Sequence, residues 1–262
     1  MSSTRSLLID VGNTSIKLVL RTTEGLGSVF ELPTDKTDTP DSLGLKILEY
    51  LRLENVAADQ VKTWVMASVV PMLNERIALC GKKFCLADIY QVPENLSVGI
   101  NNKYQSPHEV GADRLITAYG ARRTNSHQGL LVIDFGTATT FDCVIENDYI
   151  GGLICPGVFS SIQALGSKTA KLPWFSLEEA GKELEIGRST SKSLAQGTLF
   201  GFAAMVEGLV ARLKKHMPGQ TRILATGGAG EILAGVCPSI EEVQPALLMQ
   251  GLVFTGMDHK IF

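Results

Sequence analysis

The chain has 262 residues, 45% of them hydrophobic, with 24 Lys+Arg against 27 Asp+Glu and a formal charge of −3. Its 26 glycines and 10 prolines are an ordinary content, which excludes collagenous, low-complexity and disordered classes and leaves enough apolar material for a core. The slightly acidic balance speaks against a nucleic-acid partner, which selects a basic face, and at about 150 residues per domain the length corresponds to roughly 1.7 domains.

Residues 7–20 form the first strong segment. An aliphatic run ending in Asp10-Val11 enters Gly12-Asn13-Thr14-Ser15 and resumes with β-formers, which predicts a hairpin of two strands. Residues 42–53 read as a helix with Leu43, Leu45, Ile47, Leu48 and Leu51 on one stripe. Residues 63–70 read as a buried strand stopped by Pro71, and an Ala-rich helix over 115–123 follows a Gly111-Ala112-Asp113-Arg114 loop. The opening plan then returns over 130–144: aliphatic strand, Asp134, one apolar residue, Gly136, the small polar turn Thr137-Ala138-Thr139-Thr140, and a second strand. The two aspartates are 124 residues apart, close to half the chain, and this weak but specific repeat predicts two similar α/β halves, 1–115 and 116–262, with a cleft between them.

Beyond the repeat, a strand is expected over 149–154, a turn at Cys155-Pro156-Gly157, helices over 159–171 and 194–215, a strand with a Gly-rich end over 222–228, and a further helix from Glu231. The longest near-apolar run, from Leu199 to Val206, has eight residues and a glycine, short of the roughly 20 that span a bilayer. No signal-peptide core follows Arg5, because Asp10 interrupts the apolar run. The five cysteines are scattered without a Cys-x-x-Cys, which fits reduced thiols in a cytoplasmic protein with no membrane partner.

A phosphate-handling turn needs backbone N–H groups aimed at oxygens, and glycine lets the backbone come close. The stretch Asp10-Val11-Gly12-Asn13-Thr14-Ser15-Ile16-Lys17 supplies such a backbone with two hydroxyls and one cation. Taken alone it is also an ordinary hairpin turn whose aspartate bonds its own backbone. Two turns of one plan change that reading, since two facing aspartates, Asp10 and Asp134, suit a hydrated Mg2+ on nucleotide phosphates. Asp113 reads equally as a helix cap, Arg114 as a surface charge or a fork for a carboxylate or phosphate, and Gly227-Gly228 as a strand–helix turn or a close approach to a base or ribose. A P-loop, a G-x-G-x-x-G, a G-x-S-x-G elbow and an H-E-x-x-H are all absent.

The paired Asp-Gly turns in duplicated halves resemble the superfamily of actin, sugar kinases and the large chaperone ATPases. Within it the chain is similar to type III pantothenate kinases, through Asp10 to Lys17, Gly111-Ala112-Asp113-Arg114, Asp134-Phe135-Gly136-Thr137-Ala138-Thr139, Gly151-Gly152-Leu153-Ile154-Cys155-Pro156-Gly157 and Thr226-Gly227-Gly228. Ala67-Ser68-Val69-Val70-Pro71 and Leu172-Pro173 are smaller echoes. Any one of these is weak, but five in order over nearly the whole chain are specific.

The resemblance implies two actin-like (ribonuclease H-like) domains with mixed sheets flanked by helices, and transfer of the ATP γ-phosphoryl group to the 4′-hydroxyl of pantothenate, the first step toward coenzyme A. It further implies ATP contacts from Asp10, Val11, Gly12, Asn13, Thr14, Ser15, Ile16, Lys17 and Thr137, with Gly227 and Gly228 near the adenosine. Pantothenate falls to Tyr104, Gly111, Ala112, Asp113, Arg114 and Thr190, with Asp113 as catalytic base and Thr190 reaching the substrate across a homodimer interface. A monovalent cation, K+ or NH4+, goes with Asp134, and Mg2+ through water with Asp10. Ser106 departs from the family pattern, in which Asn or Asp is expected there. The alternatives are a non-catalytic relative of the accessory factors for virulence gene regulation, and a kinase of the same superfamily acting on another small hydroxylated substrate.

Overall fold

The computed structural model describes residues 5–168, 173 and 175–262. In chain order the strands and helices are β1 (Ser6–Val11), β2 (Ser15–Thr22), β3 (Gly25–Leu26), β4 (Phe30–Pro33), α1 (Pro40–Leu53), β5 (Thr63–Ser68), α2 (Pro71–Cys85), β6 (Asp88–Val92), β7 (Asn101–Asn102), α3 (Ala112–Thr124), β8 (Gly129–Phe135), β9 (Ala138–Ile145), β10 (Asp148–Pro156), α4 (Val158–Lys168), α5 (Thr190–Leu213), β11 (Thr221–Gly227), α6 (Gly230–Ala234), β12 (Glu242–Val243) and α7 (Leu247–Asp258).

The chain forms two compact units, but they are not the contiguous halves expected to part at residue 115. The first comprises residues 1–100, 106–123 and 248–262, the second 101–105 and 124–247. The expected boundary falls inside α3, whose Ala112 and Ile116 belong to the first unit's core together with Met249 and Leu252 of α7.

The first unit is built on a six-stranded mixed sheet in the order β3-β2-β1-β5-β6, with β4 also on the outer edge of β2. β1 and β2 form the predicted hairpin, with Asp10 opposite Lys17 and Val11 opposite Ile16, while β5 and then β6 run parallel to β1. Every residue of β1 is buried because both faces of the sheet are covered. Leu7, Ile9 and Val11 point to the side of α1 and α2; Leu8 points to the side of α3 and α7. Where β3 and β4 leave a gap beside β2, the buried Tyr50 hydroxyl of α1 accepts the Leu20 N–H at 2.9 Å.

α1 starts at Pro40, two residues before the predicted helix, under a capping box of Thr39 and Ser42. Its buried side is Leu43, Ile47, Tyr50 and Leu51; Leu45 is 66% exposed, because a residue two positions from Leu43 faces away from it. Pro71 ends the strand segment and also opens α2, since proline at the first helical position loses no hydrogen bond.

The second unit repeats the plan in the order β12-β11-β8-β9-β10-β7. The hairpin β8–β9 corresponds to β1–β2, and β11 lies parallel to β8 as β5 does to β1, with β12 parallel beyond it. One face of this sheet, with Leu131, Ile133, Phe135, Phe141 and Ile223, packs on α5 through Leu199, Ala203, Val206 and Val210. The strand expected over 149–154 is longer, so Cys155 and Pro156 belong to β10 rather than to a turn. The helix expected over 159–171 is α4; positions 169–171 and Leu172 lie outside the described residues.

Counting consecutive apolar residues misjudged α5. With the 3-10 turn after it, Thr190–His216 is 27 residues and apolar enough to cross a membrane by length and composition, and 33% of its most apolar window is buried. Thr198 and Glu207 bound the apolar run without interrupting the helix. All five cysteines are free.

Candidate active site

In the first unit the turn between β1 and β2 is closed by Gly12 N–H donating to the Ser15 carbonyl at 2.9 Å, and Thr34 ties it down through its hydroxyl to the Gly12 carbonyl (2.7 Å) and its N–H to the Thr14 carbonyl (3.0 Å). A Cβ at Gly12 would sit 3.1 Å from the Ser15 oxygen, so the glycine keeps the turn tight. Of the eight residues of this stretch expected to touch nucleotide, Val11 and Ile16 bury their side chains in the core and offer only backbone. Asn13 and Thr14 are exposed, Gly12, Ser15 and Lys17 are half-buried, and Asp10 is a carboxylate only 9% exposed.

The Gly111–Arg114 stretch is not a loop before a helix, as the sequence reading had it. Ala112, Asp113 and Arg114 form the first turn of α3, and the Leu115 N–H donates to the Gly111 carbonyl at 3.3 Å. Asp113 Oδ1 accepts the Arg114 N–H at 2.8 Å and lies so close over Gly111 that a Cβ there would overlap it. Burial pushes the Asp113 carboxyl above its usual value, against the Arg114 N–H and guanidinium, which pull it down. Arg114 is itself 9% exposed.

Val69 links these two pieces of the first unit. Its N–H donates to the Val11 carbonyl at 3.0 Å, next to Asp10, and its Cγ1 lies 3.5 Å from where a Gly111 Cβ would stand. The sequence reading had Val69 in the strand over 63–70 and in a minor echo, whereas β5 ends at Ser68; nothing in its residue type marks it as a bridge.

In the second unit Asp134 is the last residue but one of β8, opposite Thr140 of β9 and Thr226 of β11. Gly227 has φ +84°, and a Cβ there would overlap Asp134 Oδ1 and stand 2.7 Å from the Phe135 carbonyl oxygen. The exposed Gly136-Thr137 turn is held by the Ser160 hydroxyl, which donates to the Thr137 carbonyl at 2.7 Å, and by Gly157, whose missing Cβ would overlap that same oxygen. Gly228 is exposed beside Phe159, whose ring edge is 3.7 Å from its Cβ position and whose surface is 52% exposed. This places an exposed aromatic face beside the Gly-Gly turn, a neighbour that the sequence reading did not name. Tyr104 is half-buried against Gly151, and Thr190 is exposed as the first residue of α5.

No three acidic, cysteine or histidine groups converge among the described residues. Mg2+ does not need them, since it keeps several waters and takes one or two carboxylates beside phosphate oxygens; Asp10 at the end of β1 offers one. The space left by Gly227 is flanked by a carboxylate and a carbonyl oxygen, a hard donor pair that fits a cation at Asp134.

Comparison with known proteins bears on the family and the fold. The family model for type III pantothenate kinase matches residues 6–212. Type III pantothenate kinases from Nitratidesulfovibrio vulgaris (strain Miyazaki F) and Oleidesulfovibrio alaskensis are 46% and 41% identical over 247 and 257 residues, covering 94% and 97% of both chains in each pair. Among solved structures, a Campylobacter jejuni protein assigned to the Baf family of transcriptional activators superposes with a TM-score of 0.63 at 18% identity, over 98% of this chain and 100% of that one. A ROK family glucokinase from Streptomyces griseus, in complex with glucose and AMPPNP, gives 0.56 at 14% identity over 96% and 97%. At those identities the structural likeness speaks for the fold alone, that of actin-like sugar kinases. The match of a family model to most of the chain, and relatives above 40% identity over nearly all of it, settle its membership: the chain belongs to the type III pantothenate kinase family.

Proposed function

We propose that this protein transfers the γ-phosphoryl group of ATP to the 4′-hydroxyl of pantothenate, in the first step of coenzyme A biosynthesis, with Asp113 as the base. The observation that carries this reading is the desolvated Asp113 carboxylate, joined through Val69 to the end of β1 that carries Asp10 and the phosphate-type turn. Phosphoryl transfer needs positioning and charge neutralisation more than covalent chemistry, so backbone turns, a divalent cation and one base suffice.

In this reading the amides of residues 11–16, the Thr14 and Ser15 hydroxyls, Lys17 and Thr137 hold the nucleotide phosphates, and Gly227, Gly228 and Phe159 take the adenosine. Tyr104, Gly111, Ala112, Arg114 and Thr190 take pantothenate, Arg114 by the charge-assisted fork that suits a carboxylate. Asp113 accepts the 4′-hydroxyl proton as the oxygen attacks phosphorus. A raised pKa brings that base nearer the operating pH and so favours the transfer. Asp10 would hold Mg2+ through water, and the ion would there supply neutralisation of the charge developing on the phosphate oxygens. K+ or NH4+ belongs with Asp134 and the Phe135 carbonyl.

The same proposal includes a homodimer and a cytoplasmic setting, the latter in keeping with five free thiols. The outer side of α5 carries Gly197, Gly201 and Ala204 at helical spacing, all exposed, next to an open groove of about 410 Å3 lined by Leu165, Leu194, Phe202 and Met205. Small residues let a second helix approach closely, so a second copy is the cover this apolar face calls for.

The test is ADP release, coupled to NADH oxidation, with pantothenate, pantetheine and a set of hexoses as acceptors. Turnover on pantothenate that exceeds turnover on the hexoses is expected, with higher rates in K+ or NH4+ than in Na+. Activity on hexoses without activity on pantothenate overturns the assignment.

A further inference from the structure

Asp142 of β9 has no exposed surface and no part in the chemistry described so far. A buried carboxylate is costly unless donors meet it. Here the Tyr149 hydroxyl donates to Oδ1 at 2.8 Å and the Thr140 hydroxyl to Oδ2 at 3.0 Å. In the β8–β9 pairing Thr140 stands opposite Asp134 and Asp142 opposite Val132, so these side chains share the Asp134 face of the sheet and not the face packed on α5.

Tyr149 is completely buried, and β10 breaks register immediately after it, between Tyr149 and Gly151. Such a bulge re-aims the residues that follow. Gly151 has φ +124°, and a Cβ there would stand 3.1 Å from both Cδ2 and Cε2 of Tyr104. The Tyr104 ring therefore rests on the bare glycine. Its centroid is 6.5 Å from that of Tyr149, with the planes tilted by 40°, within the range of aromatic attraction. The backbone fixes the same segment, the Lys103 N–H donating to the Tyr149 carbonyl at 2.9 Å and the Tyr104 N–H to Asn102 Oδ1 at 3.0 Å.

We propose that Asp142, Tyr149 and Gly151 are positioning residues that set the orientation of the Tyr104 ring, and through it the shape of the pantothenate-binding wall. The proposal rests on the reading of Tyr104 as a pantothenate contact. Asp142 touches no substrate: it fixes the direction of the Tyr149 phenol by accepting its hydroxyl at Oδ1 while the Thr140 hydroxyl holds Oδ2. Tyr149 then backs the Tyr104 ring from one side while Gly151 leaves the space beneath it. A side chain at 151 pushes the ring forward and narrows the acceptor site.

The experiment is a set of steady-state kinetics for the parent, Tyr149→Phe, Asp142→Asn, Gly151→Ala, Tyr104→Ala and the Tyr104→Ala/Tyr149→Phe double variant, with thermal unfolding of each. Tyr149→Phe and Gly151→Ala should raise KM for pantothenate by about fivefold or more and leave KM for ATP within about twofold, and the effect of Tyr149→Phe should vanish when Tyr104 is already alanine. Equal shifts in both KM values, or a Tyr149→Phe effect undiminished in the Tyr104→Ala background, overturns the proposal while a Tyr104→Ala defect on pantothenate leaves the reading of Tyr104 standing. An unchanged pantothenate KM in Tyr104→Ala overturns that reading and the proposal with it. Should Asp142→Asn fail to fold, the other variants decide the matter without it.

Discussion

Gly111→Ala separates the placement of the Asp113 carboxylate from its chemistry. The added Cβ overlaps Asp113 Oδ1, whereas Asp113 Cγ and Val69 Cγ1 lie at an ordinary 3.5 Å. Gly111 is outside the positive-φ region, so its backbone accepts alanine without strain. The flexible group yields: the carboxylate retreats by about 1 Å, and a displacement of that size in a reacting group costs about 10²-fold in rate. Fold stability should barely change, because a gain of about 0.4–1 kcal/mol from the stiffer unfolded chain offsets a loss of about 1 kcal/mol for the Oδ1 bond to the Arg114 N–H. Removing the base, as in Asp113→Asn, should cost about 10²–10⁴-fold. Both changes act on one group, so the double variant should be no slower than Asp113→Asn, whereas independent losses would multiply. The assay is coupled ADP release at saturating ATP and pantothenate, with a thermal melt of each variant. Gly111→Ala turnover within about threefold of the parent, or a double variant in which the losses multiply, refutes the argument.

Three further outcomes follow from the same structure. Burial holds the Asp113 pKa above its usual value, so the acid limb of kcat/KM should lie above the ordinary aspartate pKa of about 3.9 and disappear in Asp113→Asn. Because the folded pKa exceeds the unfolded one, the ionised group weakens the fold as pH rises through that window, and Asp113→Asn should melt no lower than the parent at neutral pH; a lower melt contradicts the shift. Gly227→Ala forces an L-residue to φ +84° and crowds Asp134. It should lower unfolding free energy in urea by about 1–3 kcal/mol and abolish any preference for K+ over Na+; retention of both properties counts against the cation role. Burial pushes the Tyr50 hydroxyl up to about 12 while it accepts the Leu20 N–H. Tyr50→Phe leaves that amide unpaired and should cost about 1–3 kcal/mol in urea unfolding, and a change under about 0.5 kcal/mol means water takes the place of the phenol.

Both hairpins were legible in the sequence because an aliphatic run, an Asp-x-Gly turn and a second β-rich run leave few alternatives. α2 was not, because Pro71 ends a strand and starts a helix with one residue. α7 was missed for another reason: Leu247-Leu248-Met249-Gln250-Gly251-Leu252-Val253-Phe254 carries almost no polar face to give a helical period. The close approach of Gly251 to the Ile116 backbone explains that glycine only once α3 and α7 are seen together. Of the candidate site, the residue types of the Asp10 and Asp134 turns could be read directly. The meaning of Gly111, Gly151, Gly157 and Gly227 could not, since each is defined by the side chain or carbonyl that fills the missing Cβ. Asp142 likewise looks like an ordinary strand aspartate until the register of β9 and β10 brings Tyr149 over it.

The return of residues 248–262 to the first unit bears on how the protein is made. Translation delivers 124–247 as one uninterrupted stretch, after β7 has already emerged, so every strand of the second sheet exists before Met249 and Leu252 leave the ribosome. The unit begun first is therefore completed last. Until α7 arrives, Leu8, Val19, Val65 and Ile116 lack the part of their cover that Met249 and Leu252 supply, and a nascent chain with that surface open to water is prone to aggregate. A chain released early would carry a finished second unit and an unfinished first one, with one face of the first sheet short of its last helix.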